Sequence, residues 1–169
     1  MIIAISGMTG SGKNTLGELL AEELGYTLIC PTFKDLAKKE GVSLMEFQKI
    51  AEKDPDIDRK FDAVLKEQAK DNCIVTTWLG PWMVDADVRI KVFAQLKVRA
   101  ERTAKRDEMT VSEAMKHIKE RDERNWKRYK KLYGIDIYDD GIFDACLNSG
   151  TYKPKELLSI CLAIINKKE

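Results

Sequence analysis

The chain begins Met1-Ile-Ile-Ala-Ile-Ser-Gly7-Met-Thr-Gly-Ser-Gly12-Lys-Asn-Thr15 and continues Leu16-Gly-Glu-Leu-Leu-Ala-Glu-Glu-Leu24. The apolar run ending at Ser6 reads as a short strand. Leu16, Leu19, Leu20 and Leu24 share one face at helical spacing. Between them stands G-x-x-x-x-G-K, the phosphate-binding pattern. Gly7, Gly10 and Gly12 reach backbone angles closed to other residues and let main-chain N–H groups approach an anion. The helix N-terminus adds unsatisfied donors and a positive dipole end. Lys13 is placed to reach the β- and γ-phosphates of ATP, and a hydroxyl to hold Mg²⁺. The strict pattern wants Ser or Thr directly after the lysine, but Asn14 stands there and Thr15 follows. Thr15 is therefore the expected metal ligand. Gly7, Met8, Thr9, Gly10, Ser11, Gly12, Lys13, Asn14 and Thr15 are the expected nucleotide-binding residues.

A chain of 169 residues suits one domain with a sizeable core. The net charge of +1 gives no global pull toward long nucleic acid or membrane. Charge is uneven, however. Residues 97–131 carry 13 Lys/Arg against 7 Asp/Glu, a local cationic patch that fits a small polyanion such as a nucleotide. Cys30, Cys73, Cys146 and Cys161 form no C-x-x-C, and His117 is the one histidine, which argues against zinc. The reading is a reducing cytoplasm, with no secretory signal and no membrane-spanning run. With no apolar surface stripe left over, a monomer is expected.

Taken in order, Tyr26–Cys30 reads as a second strand after Gly25 stops the first helix. Helical segments follow over Thr32–Glu40, from the capping box Ser43-Leu-Met-Glu46, and from Asp54-Pro55 to about Lys70. Asn72–Thr77, Asp87–Phe93 and Phe143–Asn148 read as further strands. Helices are expected at Lys97–Arg106, from the capping box Thr110-Val-Ser-Glu113 to Lys131, and from Pro154. Strands alternate with helices, and the first turn binds phosphate. The expected fold is therefore α/β of the P-loop NTPase kind. It would have a doubly wound five-stranded parallel sheet, a helical substrate-binding insertion at 31–72 and a helical lid at 110–133.

The polar helix reads Lys119-Glu-Arg-Asp-Glu-Arg-Asn-Trp-Lys-Arg-Tyr129. Arg121, Arg124 and Arg128 stand at i, i+3 and i+7 and project from one face. Three guanidiniums together repel unless an anion lies between them, and a phosphoryl group in transfer is such an anion. The bland alternative is a solvated helix with the i,i+4 pairs Glu120–Arg124 and Glu123–Lys127. Trp78 and Trp82 pack in the core or wall a base-binding pocket. Asp35 is a surface carboxylate or, in a kinase for small alcohols, a base near the hydroxyl.

These features together resemble the archaeal-type cytidylate kinases over nearly the whole length. The anchors are Gly7 to Thr15, Phe33-Lys-Asp-Leu-Ala37, Glu52-Lys-Asp-Pro-Asp-Ile-Asp-Arg59, Val98-Arg-Ala-Glu-Arg102, Arg121-Asp-Glu-Arg124 and Lys127-Arg-Tyr-Lys-Lys-Leu-Tyr-Gly-Ile-Asp136. The resemblance implies transfer of the ATP γ-phosphoryl group to CMP or dCMP. It implies Lys13, Arg121, Arg124 and Arg128 as catalytic cations, and a monophosphate site in the insertion with Lys34, Asp58, Arg59 and Asp62. Three features depart from the family's habit, one of them Asn125-Trp126 in the lid, where relatives often carry acidic residues or arginine. Lys34 stands where arginine is usual, keeping the charge but losing the bidentate fork. Thr77-Trp78 stands where Gly-Arg is usual. An acceptor other than a nucleoside monophosphate, or nucleotide binding without catalysis, are the competing readings.

Overall fold

The computed structural model describes residues 1–168. Five strands, β1 (Ile2–Ser6), β2 (Thr27–Ile29), β3 (Cys73–Thr76), β4 (Val88–Phe93) and β5 (Ala145–Asn148), form one sheet in the order β2-β3-β1-β4-β5. Every pairing is parallel, with Ile3 opposite Ile74 on one side and Val88 on the other. Helices α1 (Lys13–Leu24), α2 (Phe33–Lys39), α3 (Leu44–Lys53), α4 (Pro55–Gln68), α5 (Gly80–Met83), α6 (Leu96–Asp107), α7 (Val111–Tyr133) and α8 (Pro154–Ile165) connect and cover it.

A parallel sheet covered on both faces buries its strands completely. Ile3, Ala4 and Ile5 of β1 are accordingly sealed from solvent. Alternate residues go to opposite faces. Ile3, Ile5, Ile74, Val88, Ile90 and Val92 pack with Leu16 and Leu20 of α1 and Leu157 and Cys161 of α8. On the other face Ala4, Cys73 and Val75 meet Leu65 of α4 with Val84 and Ala86. The chain order reverses across β1, between β3 and β4, so the crevice beyond Ser6 is where such a sheet binds ligands.

The expected 31–72 insertion is α2, α3 and α4. It carries its own small core, in which Phe33 meets Phe47 and Phe61 edge-to-face at 5.3 Å each. The capping boxes at Ser43 and Thr110 form as expected. A third forms at Thr32, whose side chain and backbone N–H pair with Asp35. Asp35 is thereby spent as a helix cap. Helix α7 lies along α6, with Ala100 and Ala104 against Ala114 and Ile118. Its buried positions run Ala114, Ile118, Asp122, Asn125, Arg128 and Tyr129. The stripe keeps helical period while its chemistry changes from apolar to polar at Asp122.

Candidate active site

The loop from Gly7 to Lys13 is held from outside. Arg99 on α6 donates from Nη1 to the Thr9 carbonyl at 3.2 Å. Arg102 donates to the Gly10 carbonyl at 3.3 Å, and the Ser149 hydroxyl donates to the Ser11 carbonyl at 2.6 Å. In a trans peptide N–H and C=O point opposite ways. Turning these carbonyls outward therefore turns the N–H groups of Gly10 and Gly12 to the other side, as an anion requires. Gly10 and Gly12 have φ of 76° and 88°, the left-handed region that costs glycine least. A Cβ added at Gly10 would lie 2.7 Å from the Arg99 carbonyl oxygen.

Lys13 opens α1 inside the cleft. Burial first, then the neighbouring Arg121 charge, pulls its ammonium down to about 8. Arg121 is itself lowered by burial, and its Nε is buried without a hydrogen-bond partner. Two desolvated cations side by side are unstable company without an anion. The cleft that holds them is also lined by Asn14, Thr32, Lys34, Trp78, Arg106 and His117. Arg106 pairs with Asp107 at 2.6 Å, and Lys34 reaches the same carboxylate at 3.8 Å.

A second cavity continues from Lys13, Asn14 and Arg121 toward the insertion. Its walls include Phe33, Phe61, Trp78 and Tyr129, and its polar groups are Gln48, Asp58, Asp62, Asn125 and Arg128. Asp58 is 3.4 Å from Nε of Arg128. Burial pushes the Asp58 carboxyl up to about 6, against the pull of Arg128. Burial also raises Asp62, whose carboxylate accepts the Tyr133 hydroxyl. The Arg128 guanidinium stacks 4.8 Å from the Phe33 ring centre and 5.0 Å from that of Tyr129. Oxygens of Gln48, Asn125 and Asn14 are buried without partners.

A third groove lies outside the loop, lined by Gly12, Thr15, Arg102 and Ser149 to Pro154. Arg102 clamps Ser149 through its hydroxyl at 2.8 Å and its carbonyl at 2.7 Å.

The structure thus gathers Lys13, Asn14, Arg121, Arg128, Asp58 and Asp62, keeps Lys34 at the edge, and turns three expected residues elsewhere. Thr15 is exposed in the outer groove, because one residue of helix turns the chain about 100° away from Asn14. Arg59 sits exposed on α4, paired with Asp56 at 3.0 Å. Arg124 is rotated off the Arg121–Arg128 line by the i+3 spacing and faces Glu52 at 3.8 Å. Lys34 remains at the cleft's rim with Asp107. Of the tryptophans, Trp82 packs edge-to-face on Phe143 at 5.4 Å, while Trp78 lines both inner cavities. Sequence reasoning missed Arg99, Arg102, Asp122 and Gln48. The signal for the two arginines was the stretch Val98-Arg-Ala-Glu-Arg102, in which the i, i+3 spacing places both along one edge of α6.

The sequence profile of the cytidylate kinase-like family matches residues 2–151. The cytidylate kinase of Pyrococcus horikoshii is 42% identical over 98% of this chain and 88% of its own length. That of Pyrobaculum aerophilum is 39% identical over 96% and 91%. Among solved structures, shikimate kinase from Acinetobacter baumannii superposes with a TM-score of 0.62 at 16% identity, covering 99% of this chain and 94% of that one. At that identity the likeness is one of fold.

Proposed function

The chain belongs to the cytidylate kinase-like family, and from that premise we propose that it transfers the γ-phosphoryl group of ATP to CMP, and to dCMP as the deoxy counterpart. The observation that carries this reading is the meeting of Lys13 and Arg121, both desolvated, where the phosphate loop opens into the Arg128 cavity. The outer groove beside Gly12, with Arg102 and Tyr152, is the place for the donor's base and sugar, since it adjoins the loop from the other side. The inner cavity is then left for the acceptor.

An anionic oxygen of the monophosphate attacks the γ-phosphorus of ATP. A new P–O bond forms as the bond to the β-phosphate oxygen breaks, and ADP leaves. The attacking oxygen is already ionised, so no general base is needed. What is needed is alignment and neutralisation of charge on the equatorial and leaving oxygens. Lys13 and Arg121 supply fixed positive charge at the transfer point. Arg128, held at the cavity floor by Asp58, is placed for the acceptor's phosphate.

Mg²⁺ fits this site through oxygen donors. Among the described residues no cluster of three or more His, Cys, Asp or Glu side chains could cage a metal. A cation held mainly by phosphate oxygens and water matches that. The partnerless Asn14 Oδ1 is the side-chain oxygen nearest Lys13 in sequence, and Asn14 lines the cleft. Asn14 Oδ1 would help hold the metal, which would supply neutralisation of phosphate charge.

The test is ADP release from ATP and Mg²⁺ over a panel of nucleoside monophosphates and small alcohols. The expected result is turnover with CMP and dCMP that collapses in Lys13→Ala. Turnover confined to an alcohol would overturn the reading. Asp35, the one carboxylate weighed for that chemistry, is engaged by Thr32.

A further inference from the structure

We propose that the groove on the outside of the molecule, between α7 and the helical insertion, is a second anion site, apart from the phosphate loop, and that it takes a polyphosphate chain. The assignment is independent of which acceptor the inner cavity holds.

The groove encloses about 480 Å³, within the ~300–1,000 Å³ that small-ligand pockets occupy. Arg124, Lys127, Arg128 and Lys131 of α7 stand at i, i+3, i+4 and i+7, so one face of the helix presents all four to it. Arg59 joins them from α4, and Glu52 and Asp58 are the carboxylates in the wall, two against five cations. Some of these charges are met nearby. Arg59 has Asp56 at 3.0 Å, Lys127 has Glu123 at 2.6 Å, and Arg128 has Asp58 at 3.4 Å. Lys131 has no carboxylate within 4.0 Å among the described residues.

Arg124 points to a ligand. Its Nη1 is sealed from water and donates no hydrogen bond. Glu52 stands 3.8 Å away, beyond hydrogen-bond reach. A buried donor left unpaired bears its desolvation without return. Like charges at i,i+4, here Arg124 with Arg128 and Lys127 with Lys131, weaken the helix further. Cations held at that cost in a hollow, rather than spread on a convex surface, call for an anion from outside the chain. The length of the row says which kind. From residue 124 to 131 the helix rises about 10 Å. A single phosphate or carboxylate meets only part of that row, whereas linked phosphates set a charge at each step. Guanidinium groups grip phosphate oxygens in pairs, and lysines add point charge.

The experiment is calorimetric titration with tripolyphosphate in metal-free buffer. Lys13→Met removes the loop's lysine, so that the groove is read by itself. In that background Lys127→Gln with Lys131→Gln should weaken tripolyphosphate by about tenfold or more, the loss of two charge-assisted contacts. Glutamine keeps the helix propensity of lysine. Lys116→Gln with Lys119→Gln removes the same charge from exposed positions of α7 outside the groove, and should leave the affinity within about twofold, since distant surface charges are screened. CTP separates the two sources of such a chain. Binding as tight as tripolyphosphate or tighter identifies a nucleoside triphosphate, and weaker binding a free polyphosphate. The assignment is overturned if Lys13→Met binds no tripolyphosphate, or if the two lysine pairs act alike. It is also overturned if hexaglutamate binds as tightly, which would make the groove a surface for acidic protein segments. A protein that passes this test yet turns over no CMP keeps the site and loses the kinase reading. One that turns over CMP and fails it does the reverse.

Discussion

Nη1 of Arg99 lies 2.7 Å from Oδ2 of Asp122, and both side chains are buried. The same nitrogen reaches the Thr9 carbonyl, so one guanidinium ties α6, α7 and the phosphate loop together. Burial raises the Asp122 carboxyl, opposed by its hydrogen bond from Arg99. Removing one member of a buried pair strands the other, at about 3–5 kcal/mol. Asp122→Ala should therefore lose stability on that scale in urea unfolding. The double change Arg99→Met with Asp122→Leu should lose much less. If the double variant is as unstable as the single one, the pair's charge is not what the site depends on.

Arg121 and Arg124 should separate in kinetics. Arg121 shares the cleft with Lys13, whereas Arg124 faces Glu52 on α3. Losing a preorganised donor at the developing charge costs about 10²–10³ in kcat. That is the expectation for Arg121→Ala, with Arg124→Ala staying within a few-fold. Steady-state rates with CMP decide it, and equal losses would restore the idea of a three-arginine array.

Lys13 should report nucleotide binding as proton uptake. Its pKa of about 8 lies below the ordinary 10.5 because burial and Arg121 disfavour the charge. A polyphosphate restores that charge, so binding near pH 8 takes up protons, visible as a buffer-dependent calorimetric enthalpy. Between about pH 8 and 10.5 the unfolded chain holds a proton that the free folded protein has released. The charge therefore costs stability in full below about pH 8, and the cost is relieved as pH rises through that window. Lys13→Met should raise Tm at pH 7 while abolishing turnover. A lower Tm would show that Lys13 is well satisfied without ligand.

Asp58 should carry stability of the opposite pH sense to an ordinary paired carboxylate. Its folded value of about 6 exceeds the usual 3.8, burial being the first cause, with Arg128 opposing and Asp62 reinforcing. The folded protein thus keeps a proton that the unfolded chain releases between those values. The contribution is present in full below about pH 3.8 and lost as pH rises through about 6. The stability of wild type relative to Asp58→Asn should fall steadily from pH 4 to 6.5 in denaturant titrations. Carboxylates that do not interact with Asp58 are common to both proteins and cancel. A rising difference would mean that the Arg128 pairing dominates over burial.

Much of this was legible from residue order alone, because the features concerned are local. Apolar spacing gave the helices, alternation of strand and helix gave the sheet class, and Gly10, Gly12 and Lys13 gave the anion site. The Ser43 and Thr110 caps need only a neighbour three residues on. Helix α7 marks the limit. Spacing singled out Arg128 on this polar helix but gave no cue for Asp122 and Asn125, yet all three are buried, since polar groups around a ligand cavity look like solvated ones in a string of letters. Asp35 shows the same limit in reverse, a chemically suggestive carboxylate whose use is the Thr32 cap.

Sequence by itself determined the architecture and the phosphate loop, since these follow from periodicity and from backbone freedom at fixed spacing, and the reaction class through its resemblance to a known family. Tertiary structure decided which side chains share a cavity. It put Asn14 rather than Thr15 in the cleft, and turned Arg124 toward Glu52 and Arg59 toward Asp56. Those outcomes depend on the rotation of each helix about its axis and on what packs across from it. Such relations join residues far apart in the chain, and no local pattern encodes them.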